Sequence, residues 1–264
     1  MIDFYMPSKG RSDIFDPENK GSTFNSLYGL GYKINIVVYQ EEYLEYKKSA
    51  RKNRRNANIV VCDGGKGIAF KRWFIGQHAE KVGLEKFIMC DDDLKFLVRR
   101  GVKLFPLVGA GLMEMVDKLA FDLQNYAHAG VSSRAGNNHI KEDYVENARL
   151  IQLQAYRVKE YNLVQHQRIK FMEDFDVTLQ LLKMGLKNKV YYKWAKSDVT
   201  NSKGGCSDYR TVKNQSECAE KLAKLHPDCV RVVQKNGDGA YGKRKDVVVQ
   251  WKKAYEIGLK NGKT

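Results

Sequence analysis

Four short apolar runs punctuate the first third of the chain: Ile2–Met6, Ile34–Tyr39, Asn58–Cys62 and Lys86–Cys90. Each is rich in Ile, Val, Phe or Tyr, has the length of a strand, and gives way to a polar or glycine-bearing loop. The polar segments between them, about 22–29, 41–56 and 67–83, are long enough to be helical. Strands alternating with helices predict βαβ units, and hence an α/β fold with a mainly parallel, twisted sheet flanked by helices. Ligands of such sheets bind beyond the carboxyl ends of the strands. Those ends read Pro7-Ser8-Lys9-Gly10-Arg11, Tyr39-Gln40-Glu41-Glu42, Cys62-Asp63-Gly64-Gly65 and Asp91-Asp92-Asp93.

Further along, Leu112, Met115, Val116, Leu119 and Leu123 recur at helical spacing within 112–127. Leu150–Tyr156 reads as a strand, and Asp174–Met184 as a helix stopped by Gly185. Val190–Ala195 is a further strand, followed by a polar loop over Ser197–Ser207. The tail offers a helix at 215–225, a break at Pro227, and strands near 230–234 and 246–251. The pattern divides the chain into a main domain over 1–200 and a small α/β extension over 201–264 packed on it.

Composition narrows the class. With 43% hydrophobic and 29% charged residues, the 264-residue chain has the balance of a globular protein. No stretch approaches the ~20 apolar residues of a membrane helix. Met1-Ile2-Asp3-Phe4-Tyr5 lacks a basic leader, so no secretory signal is expected. Five cysteines (62, 90, 206, 218 and 229), odd in number and without C-x-x-C spacing, argue against a disulfide framework or a zinc knuckle. They point to a reducing compartment, the cytoplasm. The net charge of +15 has one focus: Lys47, Lys48, Arg51, Lys52 and Arg55 share one side of a helix with no acid among them. Such a face attracts polyanions or is simply solvated.

Charge gives affinity, and chemistry has to come from elsewhere. In an extended chain the side chains of Asp91 and Asp93 converge while Asp92 points away. Two carboxylates ~5 Å apart repel by roughly 3 kcal/mol at an effective dielectric of 20. A hard divalent cation, Mg²⁺ or Mn²⁺, compensates such a pair; the alternative is an acidic loop capping the next segment. Phe171-Met172-Glu173-Asp174-Phe175-Asp176 repeats the pattern, with acids before a helix. They serve either as caps or as a general base at the mouth of the sheet. The helix opened by Gly67 lies behind Asp63-Gly64-Gly65, where its N-terminus can receive a phosphate. No complete P-loop or G-x-G-x-x-G is present, which disfavours a kinase or dehydrogenase. The five histidines lack metal-ligand spacing and read as fillers, and no Ser or Cys sits in a nucleophile elbow.

Taken in order, Gly67-Ile68-Ala69-Phe70-Lys71-Arg72-Trp73, Asp91-Asp92-Asp93, and Glu173-Asp174 followed by Leu181-Leu182-Lys183-Met184-Gly185 resemble the signature of inverting glycosyltransferases of the GT-A fold. Only Arg72 carries over from the family's Ala-Arg-Asn triplet. With Pro7-Ser8-Lys9-Gly10-Arg11, Ser133-Arg134, Gly204-Gly205 and Val248–Trp251-Lys252-Lys253 added, the chain is most similar to the TET/JBP-associated glycosyltransferases. Those enzymes modify hydroxymethylated pyrimidines in DNA, notably in bacteriophages.

The resemblance implies a role for each residue. Ser8, Arg11, Asp63 and Arg72 surround the nucleotide of a UDP-sugar. Asp91 and Asp92 lie with the donor, and Asp93, together with Asp91, holds Mn²⁺ or Mg²⁺ on the diphosphate, with Asp198 as a further ligand. Asp174, paired with Glu173, is the base for the acceptor hydroxyl, and Arg134 takes a phosphate of donor or acceptor. DNA carrying 5-hydroxymethylcytosine or 5-hydroxymethyluracil is the acceptor, glucose or arabinose the sugar, and the Lys47–Arg55 face the DNA contact. Trp73, Tyr144 or Tyr209 supply stacking. Two other readings stay open: a GT-A enzyme with a protein, glycan or small-molecule acceptor, and a non-catalytic DNA-binding module on that scaffold.

Overall fold

In a computed structural model, which describes residues 2–198, 211–236 and 242–262, a ten-stranded sheet forms the spine. Its first half follows the predicted pattern: β1 (Asp3–Pro7), α1 (Thr23–Leu27), β2 (Ile34–Val38), α2 (Tyr43–Lys52), β3 (Asn58–Val61), α3 (Ile68–Lys81) and β4 (Lys86–Cys90). These four strands pair in parallel, β3-β2-β1-β4. The second half comprises β5 (Leu94–Arg100), β6 (Lys103–Pro106), α4 (Ala110–Asp122), β7 (His128–Ser133), β8 (Tyr144–Glu146), β9 (Leu153–Arg157), α5 (Val158–Leu163), α6 (Glu173–Lys183) and β10 (Asn188–Asp198).

β9 joins the halves, antiparallel to both β4 and β7, and β10 runs parallel to β7 and antiparallel to β5 and β8. The sheet is therefore mixed, with β5, β8 and β9 opposed to the rest, and helices cover both faces. This is the GT-A arrangement. Strands β1, β2 and β4 are almost wholly buried, which is why they read as unbroken apolar runs. One apolar layer lies between the sheet and α1, α2 and α4; a second lies between the sheet and α3, α5 and α6. Together they fix where the strand ends emerge.

The tail forms α7 (Val212–Leu225), a hairpin of β11 (Val230–Lys235) with β12 (Arg244–Val249), and α8 (Trp251–Asn261). A third apolar cluster joins it to α6. Where 246–251 was expected to be strand, the strand ends at Val249 and Trp251 opens a helix. The hairpin of β5 and β6 had no counterpart in the sequence pattern, because Lys95, Arg99, Arg100 and Lys103 break its apolar alternation.

Candidate active site

Three loops meet beyond the ends of β1 and β4 and at the start of α6. Behind β1, Tyr46 on α2 donates its hydroxyl proton to Ser8 Oγ (2.7 Å) and accepts the Arg11 N–H (3.0 Å). Ser8 Oγ donates in turn to Asp92, whose other oxygen takes the Arg11 guanidinium. Arg11 also reaches Asp93, at 2.9 Å. This overturns the expectation that Asp92 points away: the strand ends at Cys90, and residues 92 and 93 form a turn in which the two-residue periodicity no longer holds. Asp92 is 3% exposed. Burial pushes its carboxyl up to about 6, although Arg11 and Ser8 favour the charged form. Beside it, Lys71 is buried, donates to the Ser8 carbonyl and lies 3.9 Å from the centre of the Tyr39 ring. Burial lowers its ammonium to about 8.

The second cluster centres on Arg72, from the first turns of α3, whose Gly67 cap needs a positive φ of 91°. The Arg72 guanidinium bonds Asp91 at 3.0 Å, pairs with Glu173 at 2.7 Å and lies 3.7 Å from Asp174. Burial opposes its charge, but the carboxylates outweigh burial and raise its pKa. Glu173 is pushed up to about 7, by burial first and then by Asp174, against the pull of Arg72. Asp91 and Asp93 thus do not converge on one point: one is held by Arg72, the other by Arg11. Behind the pair lies a cavity of about 10 Å³, the size of one water, lined by Arg72, Glu173, Asp174 and Asp176 among others. Two non-glycine residues in left-handed backbone border the cluster, Gln152 (φ 63°) and Met172 (φ 60°). Such strain persists only where the surroundings over-determine it, and it gathers at functional sites.

A buried cation that carries no sequence signal completes the site. Lys196 on β10 is 1% exposed and donates to the Gln152 side chain, while the Gln152 carbonyl accepts the Asp91 N–H (2.9 Å). Burial lowers its ammonium to about 8, against the pull of Asp91, Asp198 and Asp174.

This arrangement accords with the sequence comparison, in which residues 2–205 match the profile of the TET-associated glycosyltransferases. The chain belongs to that family. It is a glycosyltransferase. Comparison with curated proteins returns no match. Among solved structures, GalNAc-T7 with UDP, GalNAc and Mn²⁺ is similar at 11% identity and a TM-score of 0.51, with 85% of this chain covering 47% of that one. TarS of S. aureus follows at 12% identity and a TM-score of 0.49, with 84% and 65% covered. 4-Diphosphocytidyl-2C-methyl-D-erythritol synthase of Anaerococcus prevotii has 13% identity and a TM-score of 0.46, with 85% and 96% covered.

The remaining expected residues lie apart from this network. Asp63 and Arg134 are exposed on the loops after β3 and β7, and neither side chain makes a hydrogen bond or ion pair with a described residue. Asp198 is exposed, but it stands opposite Leu94 in the β5–β10 ladder, one residue from Asp93. Among the described residues no group of three or more His, Cys, Asp or Glu side chains is placed to hold a metal ion. The β5–β10 register brings the backbones of Asp93, which pairs with Arg11, and Asp198 near one another. An all-oxygen pair of this kind suits Mg²⁺ or Mn²⁺, which take their other ligands from phosphate and water. Asp91 is bonded to Arg72, much as Asp93 is to Arg11.

The basic run is shorter than its spacing suggested. α2 stops at Lys52, leaving Lys48, Arg51 and Lys52 exposed. Lys47 bonds the Tyr43 hydroxyl (3.2 Å), and Arg55, past the helix end, stacks on Tyr28 at 4.5 Å. Trp73 packs on Phe70 in the apolar layer, whereas Tyr144 is exposed beside Tyr191 and under Lys189. Gly204, Gly205 and Tyr209 lie outside the described residues. Two of the histidines read as fillers are fully buried, His128 and His226, and His226 bonds Asp176.

Proposed function

We propose that this glycosyltransferase moves a sugar from a UDP-sugar onto the hydroxymethyl group of 5-hydroxymethylcytosine or 5-hydroxymethyluracil in DNA, with inversion. The observation that carries the reading is the Arg72 clamp, which ties Asp91, on the donor side, to Glu173-Asp174, on the acceptor side, through one guanidinium. Ser8, Arg11 and Asp92 form the wall against which the nucleotide rests, with Lys71 behind it. Asp91 faces the ribose or the sugar, and Asp63 and Arg134 stand exposed on the loops after β3 and β7.

Asp174 is the general base. It takes the proton of the acceptor hydroxyl as that oxygen bonds to the anomeric carbon, while the bond from that carbon to the diphosphate breaks and UDP departs with the electron pair. Glu173 keeps a pKa near neutrality and so limits the repulsion on Asp174. Mg²⁺ or Mn²⁺ held by Asp93 and Asp198 would neutralise charge on the diphosphate when bound. Lys48, Arg51 and Lys52 give the net charge of +15 a surface for the DNA backbone.

The test mixes the protein with UDP-glucose or UDP-arabinose, Mn²⁺, and duplexes carrying either hydroxymethylated base or the unmodified one. A mass gain of one sugar on the hydroxymethylated duplex alone is expected. Donor hydrolysis without response to DNA would assign another acceptor, and no turnover of any donor would overturn the reading.

A further inference from the structure

Residues 211–236 and 242–262 lie beyond the matched family segment, yet they grip the helix that carries the proposed base. Phe171, Phe175, Leu179 and Leu182 share one buried cluster with Leu222 and Val230 of the tail. Where α6 meets α8, a Cβ on Gly258 would stand 2.4 Å from both the Gly185 nitrogen and the Leu182 carbonyl oxygen, so the two backbones touch.

The polar link is more specific. His226, just after α7, is 2% exposed and directs Nε2 at Asp176 Oδ1 across 2.7 Å. Its Nδ1 is buried and meets no partner among the described residues, so the ring acts through Nε2, which also lies 3.3 Å from Arg168 Nη2. Asp176, also 2% exposed, sits in the first turn of α6, two residues past Asp174, and its side chain lines the same water-sized cavity as Glu173 and Asp174. Its backbone N–H donates to the carbonyl of Met172 (3.1 Å), the left-handed residue immediately before Glu173.

Charge compensation does not require the histidine. Arg168 already forks onto Asp176, with Nε at 2.9 Å from Oδ2, and Gln180 adds a bond at 3.2 Å. What His226 adds is a fixed direction from a second structural unit, at a turn whose strain needs external hold.

We propose that His226 is a positioning residue: the tail uses it to lock Asp176 and thereby the orientation of the Glu173-Asp174 turn. The inference rests on the role given above to Asp174. Displacing a base by about 1 Å costs on the order of 100-fold in rate, whereas Ser8, Arg11 and Asp91 sit on other elements and are untouched.

The test compares wild type with His226→Ala, His226→Gln and His226→Asn. Steady-state kinetics and amide hydrogen exchange of the 172–178 peptide are followed together. Expected for His226→Ala is a kcat loss on the order of 10- to 100-fold, an unchanged KM for the sugar nucleotide within about threefold, and faster exchange at 172–178 with none at 23–27. Glutamine, whose amide reaches Asp176, restores kcat to within about fivefold; asparagine, one methylene shorter, does not. Equal rates for wild type and His226→Ala, or a joint fall of kcat and donor affinity, would overturn the proposal. If the alanine variant does not fold, equal activity of the glutamine and asparagine variants does so. Wild-type protein that turns over no donor would sink the functional reading instead, while unchanged exchange at 172–178 would still sink the clamp.

Discussion

Arg72→Met is the most informative perturbation of the site. Arg72 pairs with Glu173 at 2.7 Å and Asp91 at 3.0 Å and lies 3.7 Å from Asp174, and no other guanidinium among the described residues reaches these three. Removing one partner of a buried pair costs roughly 3–5 kcal/mol, because the remaining charge is left uncompensated. For a chain of this size that is a fall in melting temperature of roughly 6–20 °C.

The loss must depend on pH. In the native protein Glu173 is already raised to about 7 from 4.5. A carboxyl raised on folding contributes most stability below its unfolded value, and that contribution disappears as pH rises through the folded value. Without Arg72 the folded value climbs further, so at about pH 5.5 Glu173 is protonated and the penalty shrinks; at about pH 8 the full penalty applies. Urea denaturation followed by circular dichroism at both pH values measures this directly. A loss below about 1 kcal/mol at the higher pH, or equal losses at both, would refute the view that Arg72 is the main counter-charge of these acids.

Asp174→Asn keeps the shape of the turn but removes the base, so kcat falls by about 10²–10⁴-fold while UDP affinity by calorimetry is unchanged. Gly258→Ala drives a methyl group to 2.4 Å of the Gly185 and Leu182 backbone and lowers stability by about 1–3 kcal/mol, read as a shift in the urea midpoint. Asp92 is raised to about 6 from 3.8, so its contribution to stability is full below about pH 4 and disappears as pH rises through 6. In Asp92→Asn that slope is absent from a plot of melting temperature against pH. Reversing Lys48, Arg51 and Lys52 to Glu weakens DNA binding and makes its salt dependence shallower by about one unit for each phosphate no longer neutralised.

Buried strands announce themselves, so β1 to β4 and the loops at their ends were legible from apolar runs alone. The half-exposed hairpin of β5 and β6 was not, because its register is set by pairing with β10, a strand remote in sequence. Asp91, Asp93 and Glu173-Asp174 could be found as charges interrupting apolar runs, and Arg72 through the resemblance of its helix to the family's. Their partners could not. The two-residue periodicity that sent Asp92 outward fails once the strand has ended, and nothing local says that Arg11 will span Asp92 and Asp93. Lys196 and His226 carry no motif. Each matters only because a distant element, the Gln152 loop or the first turn of α6, is folded against it.

The hydroxyl of Tyr46 has a wider bearing. It projects from the inner side of a ten-residue rod onto the Ser8 and Arg11 loop, while Lys48, Arg51 and Lys52 crowd the outer side of the same rod. On the proposed reading, a polyanion bound outside shares this rod with the nucleotide bound within. If occupancy of one side tightens the other, thermodynamic linkage requires the return effect to have the same size.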